Sequence, residues 1–479
     1  MQHPAQASFR LSLSVEPSKG STPPAKGSRG RSPRFPTRLL AGSWLLALAI
    51  GCAQEGPFTD EEMVQLRLLM LPAGPPADTS NAYADNPAAA RLGKHLYFDG
   101  GYSGALGAYN TAKDVNGALG PAGVAGLVSC KACHDPATGG ADSRSKPNAT
   151  SLGASYTGRN APTVINAAYS PIWQFWDGRT DSLWSQALSP PEGTGECNSS
   201  RLEVVQFIFK KYRADYEGVF GAGSLPDSIG TLPATGKPGD PTFDNLDTTY
   251  FAGATDLVNH VYANFGKAIA AYERLLVSNS FEKSDFDRFM DGDKDAMEPA
   301  AIRGARLFIG HAGCTECHRG AMFSDFGFHN VGAPQTGAYV TPTDNGRFDG
   351  IAPLTASIFN RSNPTFSDDT TATAYLGDLQ GPAPTSTKGQ FKTPTLRNIA
   401  KTGPYMHDGV YQTLWDVVNH YNFGGASGQY AGERDPAVSP LMLTDAELGD
   451  LVEFLEALSD GDKALVGYDL PGGLVGPIP

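Results

Sequence analysis

Two five-residue words constrain this chain more than anything else in it: Cys130-Lys-Ala-Cys133-His134 and Cys314-Thr-Glu-Cys317-His318. Together they use four of the six cysteines. In a C-x-x-C-H word the two thiols add to the vinyl groups of a porphyrin, and the adjacent His supplies the proximal ligand to its iron. The competing reading is a structural zinc site, because two CxxC knuckles can pool four thiolates on one ion. A His after the second Cys in both copies, and an N-terminus that reads as an export leader, weigh against zinc. The expectation is two covalently bound c-type haems. Gly (56) and Pro (36) suggest long irregular connections, which suits a fold whose porphyrins form much of each core.

Residues 1–51 read as a signal peptide. The apolar run at 39–50 follows a basic stretch and is too short to span a membrane. It ends at Gly51-Cys52, which resembles a bacterial lipoprotein cleavage site. Cys52 would then carry the lipid and anchor the protein at the outer membrane; ordinary cleavage would leave it free in the periplasm. The leader holds seven of the 37 basic residues and one of the 50 acidic ones, leaving 30 against 49, a net −19. That balance argues against nucleic acid as a partner. It fits either solubility alone or the steering of a basic protein partner.

Residues 52–85 read as a tether and a short helix, with Thr59 and Glu62 as a capping box. An internal repeat follows. Ala90-Arg-Leu-Gly93-Lys-His-Leu-Tyr-Phe98 precedes the first haem word, and Ala301-Ile-Arg-Gly304-Ala-Arg-Leu-Phe308 precedes the second. Each reads as a helix whose Gly allows close packing. The fold expected is mostly α: two cytochrome-c-like haem domains with long irregular loops, 86–282 and 283–479. Residues 255–278 have helical periodicity and close the first domain; the Asp/Lys-rich stretch 283–296 is the link. Residues 222–250 and 361–390 read as loops. A second capping pair, Thr444 and Glu447, starts a last amphipathic helix.

Between the haem words lie Arg159-Asn-Ala-Pro-Thr-Val164, Phe175-Trp-Asp-Gly-Arg179, Gln186, Pro190 and Glu196. With Phe391-Lys-Thr-Pro-Thr-Leu-Arg-Asn398 and Pro404-Tyr-Met-His-Asp-Gly409, they resemble the bacterial dihaem cytochrome c peroxidases over roughly residues 85–460. The resemblance implies an enzyme that reduces H2O2, taking electrons from a small c-type cytochrome or a cupredoxin. The haem held by Cys130, Cys133 and His134 would be peroxidatic, and that held by Cys314, Cys317 and His318 would transfer electrons. Glu196 would move the proton between peroxide oxygens, Gln186 would orient the peroxide, and Trp176 would carry electrons between the haems. A calcium ion is implied on Asn160 and the carbonyls of Thr402 and Pro404, hard oxygen donors of the kind that suit it. A homodimer is compatible with the pattern.

Two departures from the family carry information. Where the standard enzymes have a distal His in a Ser-x-Gly-His word, this chain reads Ser151-Leu-Gly-Ala154, and no His lies between His134 and His260. The first iron should then be open to peroxide without prior reduction, unless Tyr156 blocks it. Fourteen residues after His407, where the standard enzymes carry a Met ligand, stands Tyr421. Phenolate is a hard anionic donor that lowers the potential, whereas thioether raises it. Tyr421 resembles the ligand of the tryptophan-modifying MauG-type enzymes; His420 is the competing ligand, and Met406 is out of register. His329 and His407 are expected on propionates or backbone, and Cys197 as a stand-in for an apolar residue. Three readings follow: a peroxidase, a MauG-like oxidase acting on Trp or Tyr of a partner protein, and a dihaem electron carrier. The Glu196, Gln186 and Trp176 set speaks against the carrier.

Overall fold

The computed structural model describes residues 57–108, 119–145, 150–278, 282–337, 339–341 and 343–461. Residues 1–51, expected to be a leader, and Cys52 lie outside them. The described chain is mostly helical, and its named strands are one short antiparallel pair, Phe328–His329 against Phe391–Lys392. No helix among the described residues is long and apolar enough to cross a membrane.

The duplicated words fold as duplicated helix crossings. Helix Pro87–Phe98 starts at Asn86, whose side chain accepts from the amides of Ala88 and Ala89, and packs across helix Ala254–Glu273. Helix Pro299–Ile309 packs in the same way across helix Asp445–Glu456, which opens on the expected Thr444–Glu447 capping box. At each crossing the repeat's glycine lets two backbones touch. A Cβ on Gly93 would lie 1.8 Å from the Ala268 oxygen, and one on Gly304 would lie 1.8 Å from the Asp450 oxygen. No rotamer relieves a backbone clash, so the helices would have to part. Gly93→Ala and Gly304→Ala are each expected to destabilise the haem-loaded protein by about 1–3 kcal/mol or more. Urea unfolding reads this directly, and unchanged midpoints would show that the crossings open freely.

Buried apolar side chains form two clusters. The first gathers Leu96, Tyr97, Trp184, Tyr262 and Phe265, and includes Phe359 and Phe366 from far along the chain. The second gathers Phe286, Phe308, Phe323 and Phe454, and includes Phe58, Leu66 and Leu69 from around helix Asp60–Arg67. That helix forms with its capping box complete, and it packs rather than hanging free. Arg397, fully buried, donates to Asp287, to the Leu69 oxygen and to the Ala321 oxygen, so three distant segments share one guanidinium.

The stretch expected as a link differs from a plain connection. Ser284 caps helix Asp285–Met290, and Phe286 and Phe289 are buried in the second cluster. Its charges conceal two aromatics at helical spacing. The stretches 222–250 and 361–390 are irregular but packed, with short helices at Pro241–Asp244, Leu246–Thr249 and Ala374–Asp378. Leu225, Ile229 and Phe243 are buried in the first cluster.

Glu273, at the end of helix Ala254–Glu273, is buried with Oε2 unpartnered. Burial pushes its carboxyl up to about 8, and its charge bears on Tyr97 and Cys130. A carboxyl raised in the fold contributes stability that is fully present below its ordinary range and is lost as the pH rises through about 8. Glu273→Gln should therefore match the parent near pH 5 and melt a few degrees higher near pH 9. Thermal melts at the two pH values check it; equal shifts at both would mean the carboxyl is solvated.

Candidate active site

Each haem word sits on a 3₁₀ turn, Cys130–Ala132 and Cys314–Glu316. The His that follows is fixed in the same way both times. His134 Nδ1 lies 2.9 Å from the Pro162 oxygen, and His318 Nδ1 lies 2.8 Å from the Phe323 oxygen. A carbonyl only accepts, so Nδ1 carries the proton and Nε2 keeps a lone pair, the arrangement metal-bound imidazoles adopt. Burial lowers both pKa values and keeps the rings neutral. Tyr97 donates to the His134 oxygen at 2.5 Å. The thiols are unpaired, and burial pushes Cys130, Cys133 and Cys314 up to about 12. Among the described residues no cluster of metal-capable side chains joins the two words, which excludes the pooled zinc site there. The donor set fits two separate c-type haems.

Beside the first word lies Glu196. Its charge raises both Cys130 and Cys133. Burial raises its own carboxyl, and the Arg179 guanidinium opposes that rise. Ala154 N donates to the Glu196 oxygen at 2.7 Å, and Ser155 N to the Gly195 oxygen at 3.1 Å, so the turn lacking the distal His is bonded to the strand of chain carrying the acid. Ala154 is buried and offers only a methyl. Tyr156 stacks on Tyr339 with ring centroids 3.6 Å apart. Gln186 closes the short helix Leu183–Gln186. Cys197 is buried in the first apolar cluster.

The segment between the words joins the two sites. Trp176 Nε1 donates to the Asn160 oxygen at 2.9 Å, and the Pro162 oxygen two residues on holds His134. The indole also lines a large apolar cavity together with Cys314, Cys317 and His318. Gly178, at φ 65°, turns the chain beneath it. A Cβ there would lie 2.4 Å from the Phe328 ring. Arg347, buried, donates to the oxygens of Asp177 and Gly178 at 3.1 and 2.8 Å, and Arg159 bridges Asp177 and Asp344. Asn160 Nδ2 donates to the Pro404 oxygen at 2.8 Å, while Oδ1 accepts from Ser145 and Ser151. Thr402 and Pro404 line the same cavity. The implied calcium ligands are thus gathered, but Asn160 must give up these bonds before Oδ1 can meet a cation.

Tyr421 ends up on the wall of that cavity, on helix Leu414–Asn422. Burial, then the nearby Cys317 and Cys314, hold its phenol well above the ordinary range. His420 is used up: Nε2 lies 2.9 Å from the Val331 oxygen, so Nδ1 accepts from the Tyr411 hydroxyl at 2.8 Å. Met406 lines the cavity too, despite its register. His329, expected on propionates or backbone, lies between two carboxylates, Asp435 at 2.8 Å and Asp325 at 3.1 Å, and its pKa is raised to about 10, with Cys317 as the first cause. His407 stacks on Phe391 at 3.7 Å with Nε2 unpartnered, and burial lowers it to about 3. Lys392, lowered by burial to about 8, also lines the cavity.

Duplicated helix crossings, two C-x-x-C-H words and two carbonyl-fixed imidazoles define a dihaem c-type protein. Comparison with known proteins narrows the class. The family model described as di-haem cytochrome c peroxidase matches residues 87–295. A cytochrome-c peroxidase, IdrP1, of Denitromonas iodatirespirans is 33% identical over 389 residues, 78% of this chain and 83% of the relative. The methylamine utilization protein MauG of Methylorubrum extorquens is 31% identical over 352 residues, 72% of this chain and 76% of the relative. Among solved structures, the diheme peroxidase BthA from Burkholderia thailandensis shares the fold, at TM-score 0.56 and 23% identity over 85% of this chain and 98% of that one. The chain belongs to the di-haem cytochrome c peroxidase family. It is an oxidoreductase acting on peroxide, with two c-type haems.

Proposed function

We propose that the protein is an exported dihaem peroxidase that reduces H2O2 at the N-terminal haem with electrons relayed from the C-terminal haem. Cys130, Cys133 and His134 hold the first group, Cys314, Cys317 and His318 the second, each in its own domain (86–282 and 283–479). When bound, the haems supply iron that accepts peroxide at one site and takes up electrons at the other. Glu196, whose carboxyl is raised by burial, moves a proton from one peroxide oxygen to the other, which is what O–O cleavage to water requires. Gln186 orients the peroxide, and Arg179 limits how far the pKa of Glu196 can climb.

The observation that carries the relay is the continuity of His134, the Pro162 carbonyl, the Asn160 carbonyl and Trp176 Nε1, with the indole bordering the second cavity. Calcium on Asn160, Thr402 and Pro404 would stiffen that joint. The donor is a small c-type cytochrome or cupredoxin, and the place of action is the periplasm, free, anchored through Cys52, or as a homodimer. Ala154 and Tyr421 favour a second reading, a MauG-like oxidase that spends both oxidising equivalents on Trp or Tyr of a partner protein, in keeping with the MauG relative.

Rapid mixing of the fully oxidised, haem-loaded protein with H2O2, without reductant, tests the open first site. A spectral change at once is expected; inertness until one haem is reduced would mean another side chain blocks the iron. Trp176→Phe should slow reduction of the first haem by the second about tenfold or more, ~1.4 kcal/mol of barrier, in stopped-flow traces. An unchanged rate would route the electrons elsewhere.

A further inference from the structure

None of the roles proposed for peroxide reduction uses the Tyr156–Tyr339 stack. Its rings are 7° from parallel with centroids 3.6 Å apart, closer than the offset and edge-on arrangements aromatic pairs prefer. Both neighbouring backbones hold it there. Tyr156 lies in a turn closed by Thr157 N on the Ser151 oxygen at 2.9 Å, and Ser155 and Ala154 of that turn bond Gly195 and Glu196. Near Tyr339 in sequence, Gln335 N donates to the Gln429 oxygen, Asp344 N donates to Gln335 Oε1, and Arg159 pairs with Asp344. Both rings are half-buried, so the stack runs from the turn beside Glu196 toward solvent.

We propose that the Tyr156–Tyr339 stack is an exit through which oxidising equivalents left at the first haem site by peroxide reach one-electron reductants too bulky to approach Glu196. The inference rests on the peroxidase reading of that site. Two stacked phenols share the positive charge of a lost electron, which makes the loss easier than from one ring. In each transfer a tyrosine gives one electron inward and its phenolic proton to solvent. The tyrosyl radical then takes an electron and a proton from the reductant DH. Two transfers balance one peroxide: H2O2 and two DH give two H2O and two D radicals. Burial and the nearby Tyr339 hold the Tyr156 phenol above its ordinary range.

Freeze-quench electron paramagnetic resonance of the oxidised, haem-loaded protein after H2O2, without donor, tests this. A tyrosyl signal is expected in the parent and in Tyr250→Phe, an exposed control. Tyr156→Phe and Tyr339→Phe should each lose most of it while still consuming peroxide with a small donor at the parent rate. An undiminished signal in both variants overturns the exit, as does peroxide consumption by the parent with no tyrosyl signal. No consumption at all overturns the peroxidase reading, and the exit falls with it.

Discussion

Glu196→Gln is expected to lower kcat for H2O2 reduction by about 10²–10⁴-fold, the usual worth of a positioned general acid–base group. Gln keeps the size and much of the polarity of Glu but cannot give up or take a proton. The loss should therefore fall on turnover, with haem content and both haem spectra unchanged. The carboxyl is raised by burial and restrained by Arg179, which places its titration nearer neutral pH than that of an exposed glutamate. Activity of the parent should fall on the acid side as the carboxylate is protonated, and the residual activity of the variant should lack that limb. Steady-state rates between pH 5 and 8 measure both. A variant with parental kcat would remove Glu196 from the proton path.

Tyr421→Phe should have the second large effect. A phenolate ligand lowers the potential of the iron it binds, and axial ligands spread haem potentials over roughly 0.8 V. Removing it is expected to raise the midpoint of the second haem by on the order of 0.1 V or more and to abolish any phenolate-to-iron absorption. Met406 faces the same cavity, so a thioether taking the vacant position would push the potential further the same way. His420 offers no such rescue while Val331 and Tyr411 occupy its nitrogens. Potentiometric titration followed optically decides it; an unshifted midpoint would mean Tyr421 never reached the iron.

The chain announced its helices through local chemistry. Both capping boxes, the Gly93 and Gly304 crossings and the Ala254–Glu273 helix follow from spacing and residue type. The helix within the supposed link was hidden because only Phe286 and Phe289 mark it among acidic neighbours. A second duplication is also legible in the sequence. Pro162-Thr-Val-Ile-Asn166 and Pro394-Thr-Leu-Arg-Asn398 each end in an Asn at positive φ, and both amides donate to the Ser278 hydroxyl. At the site, C-x-x-C-H named the words, but nothing in sequence told that Pro162 and Phe323 would hold the two imidazoles. Those partners are carbonyls, and any residue supplies a carbonyl. Arg179 was visible as part of a motif, yet its bearing on Glu196 needs the turn at Gly178 in three dimensions. The fate of His420 likewise depended on Tyr411 and Val331, one of them far along the chain.

The exchange of segments between the two apolar clusters has a consequence for how the molecule is born. Phe58, Leu66 and Leu69 come early and wait for Phe454 and Leu458, while Tyr262 and Phe265 wait for Phe359 and Phe366. Neither nucleus can finish until most of the polypeptide has emerged, since contacts so distant along the chain are slow to close. In the exported form proposed above, the nascent chain would stay loosely gathered, with Cys130 and Cys133 accessible to whatever joins porphyrin to thiol. Cutting the gene between its two repeats would not yield two small cytochromes, because each piece would lack side chains that only the other carries.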